Sequence, residues 1–71
     1  MEILFLTICG EKIVEIDHFR NICGSDLNAT AQDLALRYAE ENPGKEYRCG
    51  IYILAGERLA YAGEEVATID D

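Results

Sequence analysis

The order of apolar patterns in this sequence predicts an α+β domain, a two-layer sandwich with the order β-β-α-β-β and one helix on one face of a mainly antiparallel four-stranded sheet. Three observations carry that expectation. One stretch, Thr30 to Gly44, has helical apolar spacing with a start and a stop signal, while everything before and after it alternates or runs apolar like strand. The strand-like runs come in pairs, each joined by a short glycine-bearing turn. A single helix, finally, covers only one face of a four-stranded sheet, so the other face is left open.

The first strand is expected over Glu2 to Cys9. Ile3, Phe5, Thr7 and Cys9 project to one face and Leu4, Leu6 and Ile8 to the other, so both faces are largely apolar. Such a run suits a central strand, or one whose second face another protein covers. Gly10-Glu11 supplies a two-residue turn with glycine at its first central position, as type II′ requires. Lys12 to Asp17 then returns, with Val14 inward beside Ile16, and Ile13, Glu15 and Asp17 outward. His18 to Asn28 carries the chain from the sheet edge to the helix. Within it Phe19 and Ile22 look like core anchors, Gly24-Ser25-Asp26 is turn chemistry, and Ser25 can cap a short turn before Leu27.

Asn28 and Thr30 both have N-cap side chains. Thr30 is favoured because Asp33 follows three residues later, a short-armed capping box, and the helix is expected to begin at Ala31. Ala31, Leu34, Ala35, Tyr38 and Ala39 form its apolar stripe. Asn42-Pro43-Gly44 stops it, since proline disfavours helical geometry at the residue before it. Lys45 to Leu54 is the next strand, with Tyr47, Cys49, Ile51 and Ile53 alternating against Arg48, Gly50, Tyr52 and Leu54. Ala55-Gly56-Glu57 is a hairpin loop, and Arg58 to Ala62 returns with Leu59 and Tyr61 on one face and Ala60 on the other. Gly63 is expected to break this strand, leaving residues 64–71 as a short edge strand or a mobile acidic end.

Seventy-one residues, 49% of them hydrophobic with a single proline, make one small globular domain spanning 1–71. At this length the core is small, and stability is modest or shared with a partner. No segment reaches the ~18 apolar residues of a membrane span. The apolar run from Ile3 to Cys9 lacks a basic flank and leads into a charged stretch, so it reads as a strand rather than a signal peptide. Fourteen acidic residues against six basic ones give a formal charge of -8. That charge repels nucleic-acid phosphates, so direct nucleic-acid binding is not expected, and it favours a basic partner surface. It also serves solubility. Three cysteines with no CxxC pair are no disulfide framework, and point to a reducing compartment.

Cys9, Cys23, Cys49 and His18 have the donor chemistry of a zinc site, but their separations are far longer than the paired spacing of structural zinc, and no metal or other cofactor is expected. Asp17-His18 resembles a carboxylate beside a base. Adjacent strand residues point to opposite faces, however, so the aspartate does not orient the imidazole. No nucleophile elbow, phosphate-binding glycine loop or HExxH helix is present, and the glycines are scattered at turns. An enzyme is not expected.

The acidic residues are more informative. Glu40 and Glu41 close the helix, where negative charge opposes the macrodipole, so helix stability does not explain them. Glu57, Glu64, Glu65, Asp70 and Asp71 gather around the last hairpin and tail. Lined up with the open sheet face, they would place Tyr52 and Tyr61 beside carboxylates, a combination suited to a protein interface.

A strand pair, an alanine-rich helix entered through Asn28-Ala29-Thr30-Ala31-Gln32-Asp33-Leu34-Ala35, and a hairpin ending in Leu59-Ala60-Tyr61 together resemble the small phage-encoded inhibitors that include several anti-CRISPR proteins. The resemblance covers the whole chain. It implies a non-enzymatic inhibitor in the bacterial cytoplasm that occupies the nucleic-acid-binding surface of a CRISPR effector complex, its acidic residues acting as a DNA mimic. The alternative expectation is a structural domain that forms a homodimer through its uncovered sheet face.

Overall fold

Two hairpins close on the same dipeptide, Gly-Glu, and between them they supply the whole sheet. In the computed structural model, which describes residues 2–70, β1 (Glu2–Cys9) turns into β2 (Lys12–Phe19), and β3 (Glu46–Ala55) into β4 (Arg58–Thr68). Gly10 and Gly56 both hold φ at 64°, and no other residue type among those described has positive φ, as type II′ turns require. The four strands form one antiparallel sheet in the order β2-β1-β3-β4. The expected two-layer α+β architecture is the one observed.

The chain crosses from β2 to β3 over β1 through a 3-10 turn (Gly24–Asp26) and helix α1 (Leu27–Glu41). The helix backbone lies over β3 and β4 and comes near β1 only marginally, and it reaches β2 through the side chain of Tyr38. Three alanines let the helix approach the sheet closely: Ala31, Ala35 and Ala39 are fully buried, in one core cluster with Ile3, Phe5 and Ile51. Small side chains on the helix leave room for large ones on the sheet, which is how so short a chain fills its core. No helix among the described residues is long and apolar enough to cross a membrane.

Three expectations are corrected. The helix begins at Leu27, one turn before Ala31, with Asp26 rather than Thr30 at the cap position and no side-chain cap bond. Burial overrides the cap signal: Leu27 precedes Ala31 by four residues on the same stripe, and the 3-10 turn delivers it into the core. The second correction concerns phase in β2. A bulge leaves Val14 unpaired, since Thr7 lies opposite Glu15 while Ile8 lies opposite Ile13. Val14 still packs against the core, but beyond it the alternation is inverted. Ile16 joins Ile13 on the open face, and Glu15 and Asp17 turn to the helix side.

Third, Gly63 does not end β4. Its φ of 123° accommodates a second bulge at Ala62, between the Tyr52–Tyr61 and Ile51–Gly63 pairs, and the strand continues to Thr68. A backbone conformation that other residues rarely adopt bends the strand and lets pairing resume. Residues 64–68 are therefore sheet, not tail. Gly44 closes the end of the molecule by donating its N–H to the carbonyl of Ile69 (2.8 Å).

Candidate functional site

The register fixes what the open face carries. From β1 it takes Leu4, Leu6 and Ile8, each paired across both neighbours. From β2 it takes Ile13 and Ile16, which are 53% and 61% exposed. Tyr52 and Leu54 come from β3, and opposite them Leu59 and Tyr61 from β4. The β4 bulge matters here. Without the extra residue at Ala62, Glu64 and Val66 would fall on the opposite face from Tyr61; with it, all three share the open side.

Tyr52 and Tyr61 meet with ring centroids 5.6 Å apart. Tyr52 also covers Gly50, where an added Cβ would stand 3.0 Å from the ring carbon Cε2. The glycine thus lets the ring lie flat on the sheet, and the two tyrosines meet over the β3–β4 side of the face without a cavity: none opens among the described residues. Its charges are satisfied within the chain. Arg48 pairs with Glu46 at 3.1 Å and with Glu64 at 3.0 Å, and Arg20 approaches Glu2 at 3.8 Å.

Of the acidic residues singled out from sequence, only Glu64 joins Tyr52 and Tyr61. Glu65 points to the helix side, where it accepts a 2.7 Å hydrogen bond from Asn28 Nδ2 and so ties the first turn of α1 to β4. Asn28→Ala is expected to lower stability by about 0.5–1.5 kcal/mol, with no loss of fold, as read by urea unfolding. Glu40 and Glu41 are exposed in the last turn of α1. Asp70 shares that end of the molecule, because Gly44 binds Ile69 beside it. Glu57 stands in the β3–β4 turn at the opposite end. Asp71 lies outside the described residues. The tyrosines and the helix-end carboxylates therefore occupy different sides.

A polar cluster that the sequence reading missed lies on the helix side, between β2 and α1. The Tyr38 hydroxyl donates to Glu15 Oε1 (2.9 Å), while the Tyr38 ring stacks on Tyr47 at 5.5 Å. Asp17 lies two residues from Glu15 on the same face, and one of its oxygens is buried with no protein partner. Burial and the adjacent Glu15 carboxylate push the Asp17 pKa up to about 6. The Glu15 carboxyl is held below its ordinary value by hydrogen bonds from Asp17 and then Tyr38. Of the two carboxyls, Asp17 is thus the one that keeps its proton to higher pH. One signal in the sequence pointed here: a tyrosine on the buried stripe of a helix needs a partner for its hydroxyl, and the stripe itself offers none.

The cysteines and His18 do not converge. Cys49 is buried on the helix side, where burial raises its thiol pKa, and Cys23 is exposed before the helix. His18 lies opposite Leu4 on the open face, so it and Asp17 occupy opposite sides of β2, as strand alternation requires. No group of three or more metal-binding side chains is assembled among the described residues. Comparison with protein-family models, with curated proteins and with solved structures finds no match to this chain.

Proposed function

We propose that the chain is a non-enzymatic, acidic protein-binding module that docks on a basic surface through the end where α1 finishes. The observation that carries this reading is the division of charge over the molecule. On the sheet face carboxylates are paired with Arg48 and Arg20, whereas Glu40, Glu41 and Asp70 share one end and are exposed. Unpaired carboxylates at a helix C-terminus gain nothing from the helix dipole, so they are available to a cation from outside. A row of carboxylates meeting Lys and Arg side chains steers association and is weakened by salt. The specific form of this reading is an inhibitor that takes the place of nucleic acid on a CRISPR effector complex, as the resemblance of the sequence implies.

The test is affinity capture from a bacterial lysate with the tagged protein, run beside the Glu40→Lys/Glu41→Lys variant and a Glu57→Lys control. The wild type and the control are expected to retain the same nucleic-acid-binding assembly and to release it on raising the salt to about 0.5 M, where screening acts within a few ångströms. The double variant is expected to retain none. Equal capture by all three, or capture indifferent to salt, overturns the reading.

A further inference from the structure

We infer that the open sheet face is the seat of a second copy of this chain, giving a two-fold dimer with the sheets back to back and the helices outward. This inference is independent of the acidic end. Its first support is size. Four strands about 4.8 Å apart and eight residues long at ~3.3 Å each present on the order of 500 Å² in projection and, with side-chain relief, roughly 600–800 Å² of accessible surface. A stable association buries about 800 Å² on each partner, within a total of ~1,200–2,000 Å², so the face reaches that range only when it is covered as a whole. A flat occupant of equal extent does that. A single helix or peptide strand does not.

The second support is shape and composition. Tyr52 lying over Gly50 helps to keep the face flat, and no pocket opens on it among the described residues. Leu6 at its centre, Ile16 on one edge strand, and Leu59, Tyr61 and Val66 on the other make it apolar from edge to edge. Two such sheets pack about 10 Å apart with their inner side chains interdigitated, the arrangement of a β-sandwich core.

The third support is charge, which selects a copy over a basic partner. The face carries Glu2, Glu46 and Glu64 against Arg20 and Arg48, so three carboxylates meet two guanidiniums and one net negative charge lies here out of -8 for the chain. The remaining acidic excess stands on the helix side, the turns and the ends. A basic surface finds little to neutralise on this face, and a second copy meets little like charge. In the dimer the helices and their carboxylates point outward on both sides, which leaves the acidic ends free.

The experiment is light scattering and sedimentation equilibrium on the whole chain from about 5 μM to 1 mM, for the wild type and for an Ile16→Lys/Tyr61→Lys variant. Both positions are 61% exposed, so the variant is expected to fold, with the helix content and cooperative unfolding of the wild type at low concentration. The wild type is expected to reach twice 7.9 kDa within this range, and the variant to remain at 7.9 kDa. Its dissociation constant should rise at least about 100-fold, since each partner would bury two unpaired charges, four in the dimer, against apolar surface. A second measurement does not depend on the variant: methyl resonances of Leu6, Ile16 and Val66 should shift with concentration in the wild type, and those of Leu34 should not. A wild type that stays monomeric at 1 mM overturns the inference. So does a dimer that survives in the variant, or concentration-dependent shifts confined to the helix side.

Discussion

Leu34→Asp is expected to abolish the cooperative unfolding transition and leave an expanded, protease-sensitive chain. Leu34 is only 5% exposed, in the middle of the one helix that covers the sheet. Removing a leucine side chain from such a site costs about 3–5 kcal/mol with the cavity counted, and a carboxylate placed there without a partner adds several kcal/mol more. A native domain has a net stability of about 5–15 kcal/mol, and one of this length lies at the low end. The loss therefore exceeds what the fold holds in reserve. Ala29→Asp, on the exposed side of the same helix near its N-terminus, is expected to change stability by no more than about 0.5 kcal/mol. Thermal melts of the two variants, followed by circular dichroism, check both expectations. A cooperative melt for Leu34→Asp would mean that the helix is not the lid of this core.

The architecture was legible because its signals are long and agree with one another. The helical stripe from Ala31 to Ala39, its stop at Asn42-Pro43-Gly44, and two glycine turns between apolar runs each point to the same order of elements. β3 was read residue by residue, since it alternates from Tyr47 to Leu54 without interruption. The misreadings cluster at two bulges and one helix start. A bulge adds one residue and inverts every face beyond it, and neither Val14 nor Ala62 is a residue that announces one. Gly63 did announce a change of backbone, but a break and a bulge look alike in sequence. At the helix start a good cap residue, Thr30, competed with one apolar side chain, Leu27, and the core won.

These local errors decide what could be known of the surface. The inversion at Val14 moved Ile16 out to the open face and brought Glu15 and Asp17 to the helix. That at Ala62 separated Glu64 from Glu65, which adjacency in sequence had grouped. The apolar extent of the open face was therefore understated from sequence, and its acidity overstated. Charge composition states how many carboxylates there are; only register states which of them share a side.

The Glu15–Asp17 pair predicts how stability should change with pH, and the sign follows from where the proton resides. Asp17 titrates near 6 in the fold against an ordinary value of 3.8, so between those values the folded state holds a proton that the unfolded chain has released. Its contribution is complete below the unfolded value and is lost as pH rises through 6. Glu15 behaves oppositely: its pKa is lowered from 4.5, so its contribution is present above 4.5 and is lost as pH falls through the lowered value. Together they make the fold most stable between about pH 3.8 and 4.5, where the two trends offset each other, with stability falling as pH rises from there through 6 and levelling off above, by roughly 1–3 kcal/mol once solvent screening is allowed for. Arg37 opposes the shift at Asp17 from the helix and limits the fall. Asp17→Asn keeps a donor toward Glu15 and removes the titrating group. It is expected to flatten the profile from pH 5 to 7.5 and to raise stability at the upper end. Glu15→Gln should bring the Asp17 titration only part of the way back, because burial, the larger cause, remains. Urea unfolding at half-unit pH steps and carboxyl carbon resonances of the two aspartate and glutamate positions check this pair of outcomes. A wild-type profile that rises from pH 5 to 7.5, or an Asp17 carboxyl titrating at its ordinary value, would show that Asp17 does not hold its proton beside Glu15 in the fold.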